Sequence, residues 1–341
     1  MIEIQRADLD AHRETLIRLL QQHLTERSDE KRYDWFYKRC PHGQARVWIA
    51  VDTDSAEIVG SAAIVPQRMR IGGEHYAACV MADFWVHPNH RVLGPALRLQ
   101  RACIDGAREA GMLLFTDLPQ GSMPAVYRRL GVHPAHRLLR YVRPLRSAPY
   151  LSRLRLPTLF AKPIGYVADG LLSLLPPGVP SQDGLEFSEQ AAAFGPDFTE
   201  LADRVGGEYS ICVARSAEYL EWRYTDHYYL QHHLVTARRG ARLEAYAVFT
   251  IQSGIAQVVD VFGARDRRII GGVIAAAIRF ARRRGATAIN LPALEGDPLA
   301  TTAASMWFAC RGASPVIVQA LDDSVATQIT SPYLTYGDLD Y

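Results

Sequence analysis

The strongest structural signal in the sequence is the segment 86–97, which reads VHPNHRVLGPAL. An apolar strand runs into a turn, and the turn opens an amphipathic helix. The first turn of a helix has backbone amides without partners, and these amides bind anions with the help of the helix dipole. Gly94 and Ala96 are small enough to let a phosphate approach the backbone, and Arg91 adds a cation. The segment therefore predicts a pyrophosphate site.

The elements around this segment follow a definite order. A meander of apolar strands ending at residues 81–86 precedes it, and a helix, a short strand at 112–116 and a helix at 124–130 follow it. The same order returns in the second half, around a long helix predicted at 268–284. We interpret this as a divergent internal duplication and predict an α/β (α+β) fold of two tandem mixed-sheet units, the second of them degenerate.

Prolines concentrate between the two halves and suggest a boundary there. The predicted division is a first domain at 1–145, a Pro-rich linker at 146–181 and a second domain at 182–341. Within the linker, basic residues stand among leucines at 150–176, so peripheral membrane contact stays open beside a helix packed between two domains.

Composition excludes several classes of protein. The 341 residues carry 38 basic and 36 acidic side chains, which argues against nucleic acid as the main partner. The five cysteines are scattered without a C-x-x-C pair, so we expect reduced thiols in a cytoplasmic protein and no metal site. No apolar run reaches the roughly 18 residues of a membrane-spanning helix.

Two motifs resemble those of the GNAT acyltransferase superfamily. In that family a strand ending in Val-x-Pro is followed by Arg/Gln-x-x-Gly-x-Gly/Ala and a helix. The matching residues are Val86, Pro88, Arg91, Gly94 and Ala96. In the second motif, a helical Tyr stands four residues before a Gly, as Tyr127 does before Gly131.

Two residues depart from the pattern. Pro95 has no amide hydrogen to give to a phosphate, although proline suits the first position of a helix. Val92 stands where the family often has a basic residue, so we expect a modest affinity for CoA.

The resemblance implies acetyl-CoA or another acyl-CoA as the co-substrate, without a metal. Its pyrophosphate would lie on the turn, and its pantetheine arm would run beside the strand 83–87. A backbone amide near Val86 or His87 would polarise the thioester carbonyl. The implied CoA-binding residues are Trp85, Val86, His87, Arg91, Val92, Leu93, Gly94, Ala96 and Leu97.

The resemblance also implies catalytic residues, and each has an alternative. Tyr127 would protonate the departing thiolate, or it packs in the core. Asp83 would take the proton of the amine, or it caps a turn or pairs with an arginine. Trp85 belongs to the core or to the pantetheine tunnel. His87 and His90 beside the turn are interpreted as surface or hydrogen-bonding residues.

The second half keeps these motifs only in part. Val273 replaces the second small residue of the loop, and Phe308 is assigned to the position of the Tyr, so we expect that this unit lost CoA chemistry and shapes the acceptor site. Residues 219–224 are similar to second units of tandem GNAT proteins linked to polysaccharide and amino-sugar modification. Trp222 and Arg223 would hold a sugar ring and a phosphate there. The alternative is a helix packed on a sheet with Arg223 paired internally. The acidic, aromatic tail at 335–340 either folds onto the cleft or frays.

Together these observations predict an N-acyltransferase that transfers an acyl group from CoA to a small amine, with an amino sugar or nucleotide-linked amino sugar as the preferred acceptor. A FemAB-like aminoacyl transferase, a non-catalytic CoA-binding scaffold and a membrane-associated acyl-carrier enzyme are the alternatives.

Overall fold

The computed structural model of the chain describes residues 1–90, 93–147 and 184–340. Its helices are α1 (Arg13–His23), α2 (Glu30–Tyr33), α3 (Leu93–Glu109), α4 (Met123–Arg129), α5 (Pro196–Val205), α6 (Ala217–Leu220), α7 (Arg267–Arg283), α8 (Pro298–Ser305) and α9 (Asp323–Ala326). Two π-helical turns, Asp34–Lys38 and Glu221–Thr225, continue α2 and α6. Asp29 and Ser216 begin these two helices, because each side chain accepts a hydrogen bond from an amide of the first turn.

The strands alternate with these helices along the chain. They are β1 (Ile2–Arg6), β2 (Arg46–Asp52), β3 (Glu57–Ile71), β4 (Glu74–Val86), β5 (Leu114–Asp117), β6 (His136–Pro144), β7 (Glu186–Ala191), β8 (Ile211–Val213), β9 (His232–Arg239), β10 (Arg242–Gln252), β11 (Ile255–Gly263), β12 (Ala288–Leu294), β13 (Ala309–Ala320) and β14 (Pro332–Tyr333). The apolar pattern of the sequence predicts separate strands at 58–65, 69–71, 76–80 and 81–86, whereas the structure joins the first two into β3 and the last two into β4.

These strands form one mixed sheet in the order β1-β2-β3-β4-β5-β13-β6-β12-β11-β10-β9-β7, with β8 attached to β3 and β14 to β8. Most neighbours are antiparallel, but within this order β4 pairs with β5 and β11 with β12 in parallel, and the attached β8 and β14 are also parallel. A parallel pair needs a crossover, and the long helices α3 and α7 supply the two crossovers. Helix α3 lies close on β2, because a Cβ at Gly106 would come within 2.1 Å of the Trp48 ring.

The order β2-β3-β4-α3-β5-α4 of the first half returns as β9-β10-β11-α7-β12-α8 in the second. Both long helices are amphipathic and cover one face of the sheet with their apolar side. The predicted α/β architecture of two tandem units is therefore confirmed.

The two halves exchange a strand at the centre of the sheet. Strand β6, which follows the first unit in sequence, pairs with β12 and β13. Strand β13 of the second half pairs with β5 of the first, with Ile317 opposite Asp117. The hydrophobic core consequently runs through both halves.

The predicted linker and its amphipathic segment lie mostly outside the described residues. Among the residues that are described, no helix is long and apolar enough to cross a membrane. All five cysteines lie in the described part of the chain and are free thiols.

Candidate active site

The parallel strands β4 and β5 are paired over only part of their length. Residues 78–80 lie opposite residues 114–116, and β4 continues beyond this pairing to Val86. Asp83 has a φ of 50°, and the register between β3 and β4 shifts between Ser61 and Ala63. Such a bulge bends a strand and changes its twist. The two strands therefore diverge and leave a wedge between them.

A cavity of about 460 Å³ opens at this wedge, and both halves of the chain line it. Its charged residues are Asp83, Asp117, Asp340, Arg27, Arg32 and Arg223. Its aromatic residues are Trp35, Phe84, His227, Tyr228 and Tyr229. Carboxylates, guanidinium groups and aromatic rings from both halves thus face one cavity.

Asp83 is buried at the bulge and bound by three donors. The Arg32 guanidinium donates to both of its carboxylate oxygens at 2.8 Å, and the Tyr37 hydroxyl donates to one of them at 2.7 Å. These bonds fix the carboxylate in one orientation and occupy lone pairs that would otherwise accept a proton from a substrate. The contacts of Asp83 therefore favour a role in holding the bulge and Arg32 in place.

Asp340 brings a second carboxylate to the same bulge. Its Oδ2 accepts from the Asp83 amide at 3.4 Å, and its Oδ1 lies 3.7 Å from a nitrogen of Arg32. Burial, followed by the negative charge of Asp83, raises the pKa of Asp340 to about 6. The side chain keeps 29% of its surface exposed, so it can exchange a proton with a molecule in the cavity.

The tail that carries Asp340 is anchored in the second half. Asp338 is buried, and its carboxylate accepts from the Arg215 guanidinium at 2.7 Å. A Cβ at Gly337 would come within 1.9 Å of the Tyr224 hydroxyl, so only glycine fits this close approach. Of the two readings of the tail, the folded one is therefore confirmed. The acidic, aromatic composition of the tail was the sequence signal for it, although the role of Asp340 was missed.

Tyr127 lies on α4 and is fully buried. Its hydroxyl donates to Oδ2 of Asp117 at 2.5 Å and accepts from the Gln100 side-chain amide at 2.7 Å. Asp117 and Gln100 line the cavity, whereas the cavity wall does not include Tyr127. Sequence reasoning missed Asp117, a carboxylate that ends a buried strand ten residues before Tyr127.

The predicted phosphate turn lies at the start of α3, after a 3₁₀ turn at Pro88–His90. Arg91, Val92 and the side chain of Leu93 lie outside the described residues. Gly94 is exposed, and a Cβ placed on it would meet nothing within 4 Å. Ala96 and Leu97 are half-buried and pack against the core beneath α3. The described part of the turn thus presents open backbone, as an anion site requires.

The end of β4 faces the core. The ring of Trp85 stacks on His23 at 4.2 Å between centroids and lies within the core. Val86 packs on the opposite face, towards α3. The amide of His87 donates to the carbonyl of Val59 at 2.7 Å. His87 and His90 line a different cavity, next to α1.

Trp222 and Arg223 take different positions in the π-helical turn after α6. Trp222 is buried, and its indole N–H donates to the carbonyl of Trp35 at 2.9 Å. Arg223 lines the active-site cavity and donates to the carbonyl of Leu339 at 2.7 Å, which fixes the tail. Arg223 is therefore paired internally, as the simpler interpretation expected.

The carboxylate on the corresponding strand of the second half is enclosed by protein groups. Asp260, on β11, is bound by the fully buried Arg215 and by the Tyr246 hydroxyl at 3.0 Å. The glycines of the predicted second loop lie inside α7, where a Cβ at Gly272 would come within 2.8 Å of the Phe187 ring. These contacts agree with a second unit that has the fold without a CoA site.

The counterpart of Tyr127 differs from the sequence assignment. Helix α8 ends at Ser305, and Trp307 takes the left-handed conformation (φ 64°) that Gly131 takes after α4. The amide after each of these residues donates to the carbonyl five positions earlier, which is Tyr127 in the first half and Ala303 in the second. The assignment of Phe308 was therefore wrong, because the helix is shorter than its apolar pattern predicts. Ala303 has no proton to donate.

Comparisons with known proteins agree with this geometry. A family model described as "Acetyltransferase (GNAT) domain" matches residues 2–135. No curated protein sequence matches the chain.

Solved structures share the fold across both halves. A probable N-acyltransferase of Enterococcus faecalis is 10% identical, with a TM-score of 0.66 and coverage of 94% of this chain and 73% of that chain. A tandem GNAT protein from the clavulanic acid biosynthesis pathway is 13% identical, with a TM-score of 0.53 and coverage of 94% of this chain and 99% of that chain. The N-myristoyltransferase of Saccharomyces cerevisiae, solved with bound myristoyl-CoA, is 14% identical, with a TM-score of 0.57 and coverage of 93% and 78%. The first unit, residues 2–135, is therefore similar to the acetyltransferase (GNAT) domain family.

Proposed function

We propose that the protein transfers an acyl group from acyl-CoA to a small amine, with an amino sugar or a nucleotide-linked amino sugar as the preferred acceptor. Residues 1–145 bind the acyl-CoA, residues 146–181 connect the units, and residues 182–341 form the acceptor side. The observation that carries this proposal is the cavity at the β4–β5 wedge, which both halves line and in which Asp340 faces the bulge at Asp83. A cytoplasmic location stays a prediction.

The CoA would lie along β4 with its pyrophosphate on the first turn of α3. The exposed Gly94 and the open space in front of it support this placement. The nine residues predicted from the sequence remain the proposed contacts, with Trp85 and Val86 contributing their backbone because their side chains are buried. A backbone amide near Val86 or His87 remains the proposed donor to the thioester carbonyl, and the His87 amide would exchange its bond to the Val59 carbonyl for one to the thioester.

The base of this reaction is Asp340 in our proposal. The acceptor amine must lose a proton before its nitrogen attacks the thioester carbonyl. Asp340 has a pKa near 6 and part of its side chain exposed, whereas Asp83 is held by Arg32 and Tyr37. Asp83, expected as the base from the sequence, is assigned here to positioning.

The departing sulfur also needs a proton. As the new C–N bond forms, the C–S bond breaks and its electron pair stays on sulfur, which then takes a proton. The sequence predicts Tyr127 as the acid, and we place the source of this proton in the hydrogen-bonded pair of Tyr127 and Asp117, of which Asp117 lines the cavity.

Aromatic rings at the mouth of the cavity support a sugar-like acceptor. Trp35 lies 4.6 Å from His227 and 5.4 Å from Tyr228 between ring centroids, and Arg27 stacks on Tyr229 at 4.5 Å. Burial, and then the charge of Arg223, lowers the pKa of His227 to about 2, so this ring is neutral. Such rings pack against the apolar face of a sugar, and the guanidinium groups of Arg27 and Arg223 bind phosphate.

A thiol-release assay tests the proposal. Acetyl-CoA and longer acyl-CoAs are offered with a panel of simple amines, amino sugars and nucleotide-linked amino sugars, and products are identified by mass spectrometry. We expect acyl transfer to nitrogen, with the highest kcat/KM for an amino sugar.

The CoA site is tested separately by titration calorimetry. Arg91→Ala should weaken CoA binding by about 1.5–3 kcal/mol, the usual contribution of a charged hydrogen bond. Arg98→Ala, exposed further along α3, serves as the matched control. Absence of thiol release with every acyl-CoA, together with absence of CoA binding, would refute the proposal.

A further inference from the structure

Asp117 occupies a particular position in the first unit. It is the last residue of β5, where β5 has already separated from β4, and it lines the cavity opposite the bulge. Its Oδ2 accepts the Tyr127 hydroxyl at 2.5 Å, which is a short distance for an O–H···O bond. The Gln100 amide donates to the same phenolic oxygen at 2.7 Å and fixes the direction of the Tyr127 proton towards Asp117.

The phenol of Tyr127 is separated from the cavity by this arrangement. Tyr127 has none of its surface exposed, and its ring stacks on Phe115 at 6.0 Å between centroids within the core under α3. Asp117 is half-buried and does reach the cavity. A proton that leaves Tyr127 for a molecule in the cavity therefore passes through the carboxyl group of Asp117.

The surroundings of Asp117 raise its pKa, so that a substantial fraction of this carboxyl group is protonated near neutral pH. Burial raises its pKa to about 7, the Tyr127 hydrogen bond lowers the pKa, and the charge of Asp340 raises it. Behind Tyr127 lie the buried thiols of Cys79 and Cys103. The other ionisable groups that line the cavity with it are Arg27, Arg32, Asp83, Arg223, His227, Tyr228 and Tyr229. Burial and the nearby Asp117 raise the pKa of Tyr127 well above its ordinary value, so the phenol retains its proton.

We infer that Asp117 is the catalytic acid that protonates the departing thiolate and that Tyr127 is its positioning residue. This inference rests on the proposed acyl transfer. When the C–S bond breaks, the sulfur keeps the electron pair and takes the carboxyl proton of Asp117. The Tyr127 hydroxyl then stabilises the new carboxylate, and solvent water at the open cavity returns a proton to Asp117. The nitrogen loses one proton to Asp340 before it attacks and a second one to solvent water after the C–N bond has formed, which leaves a neutral amide.

The pH dependence of kcat distinguishes the two possible acids. In the wild type, kcat should fall as the pH rises through about 7, because the acid must be protonated. Asp117→Asn should lower kcat by about 100-fold or more with KM within about threefold, and this descending limb should disappear. Tyr127→Phe removes the hydrogen bond that lowers the pKa of Asp117, so the limb should remain and move to higher pH.

The opposite pattern would overturn the inference. If Tyr127→Phe abolishes the limb while Asp117→Asn only moves it, Tyr127 is the transferring acid. An Asp117→Asn enzyme with the kcat and pH profile of the wild type would also exclude Asp117 as the catalytic acid. Circular dichroism and CoA calorimetry on each variant separate misfolding from lost chemistry. A wild type without turnover would count against the acyl transfer itself, so the two failures are distinguishable.

Discussion

Trp35 and Trp222 donate their indole N–H groups to each other's backbone carbonyls, at 2.7 and 2.9 Å. Their rings stack 5.1 Å apart at an interplanar angle of 19°. Each tryptophan is the second residue of a π-helical turn that continues a short capped helix. An approximate twofold axis therefore passes between the two rings and relates the halves of the chain.

Loss of one of these bonds should destabilise the fold. Trp222→Phe keeps a stacked ring but leaves the buried carbonyl of Trp35 without its donor, which costs about 1–3 kcal/mol. The free energy of unfolding, determined by urea denaturation of the variant and the wild type, measures this cost. Trp307→Phe is the matched control, because Trp307 is 56% exposed, and it should change stability by less than about 0.5 kcal/mol. Equal effects of the two variants would contradict the role of the reciprocal pair.

Asp83→Asn should lower the free energy of unfolding more than most single substitutions do. It leaves the buried Arg32 guanidinium without its main counterion, and breaking a buried pair costs about 3–5 kcal/mol. Asp105→Asn removes an ion pair of similar length to Arg108 in which both side chains are more than half exposed, so it should cost less than about 1 kcal/mol. The free energies of unfolding of both variants are compared by thermal and urea unfolding. A loss of less than about 1 kcal/mol in Asp83→Asn would show that other groups compensate the charge of Arg32.

Gly94→Glu should separate CoA binding from folding. The new side chain meets open space at the first turn of α3, where a negative charge suits the helix dipole, so the melting temperature should not fall. The same charge repels a pyrophosphate, and the Kd for CoA should rise at least about tenfold, equivalent to about 1.4 kcal/mol. Gly207→Glu, also in open space, should leave the Kd unchanged. If Gly94→Glu binds CoA with an unchanged Kd, the pyrophosphate binds elsewhere on the protein.

The pH profile of kcat should be bell-shaped. Asp340 must be ionised to act as the base, so activity should rise through about pH 6, and it should fall again through about pH 7. Asp340→Asn should remove the ascending limb and lower kcat by about 100-fold or more. Asp323→Asn, exposed on α9, is the control. An ascending limb that survives in Asp340→Asn would assign the base to another group.

Asp117→Asn should also change how stability depends on pH. Because burial raises the folded-state pKa of Asp117 to about 7, its favourable contribution is full below pH 4 and is lost as the pH rises to 7. An asparagine side chain does not titrate, so it adds no pH dependence to the stability. Its amide oxygen still accepts the hydrogen bond from the Tyr127 hydroxyl. The melting temperature of the variant relative to wild type should therefore be higher at pH 8 than at pH 4, and a constant difference would contradict the raised pKa.

Local patterns made much of the first unit predictable. The strand, turn and helix around Gly94 follow from apolar periodicity and small residues, and Tyr127 and Asp83 could be singled out from motif and position. The buried contacts around Tyr127 and Asp83 could not be predicted from the sequence. Arg32 lies in a polar segment more than fifty residues before Asp83, and Asp340 lies at the other end of the chain.

The errors have similar physical causes. The apolar residues after Ser305 continue a helical pattern, but Trp307 turns the chain and moves the equivalent of Tyr127 to Ala303. Strand β6 carries arginines at every third position, 137, 140 and 143, which does not match the two-residue period of a strand. Its pairing with β12 joins segments about 150 residues apart.

The exchanged strands have a consequence for biosynthesis. During translation, β5 emerges long before β13, which alone covers its outer edge among the described strands. An open edge of this kind invites pairing with other chains. The first half therefore keeps an incomplete sheet during synthesis until β13 has left the ribosome and paired with β5.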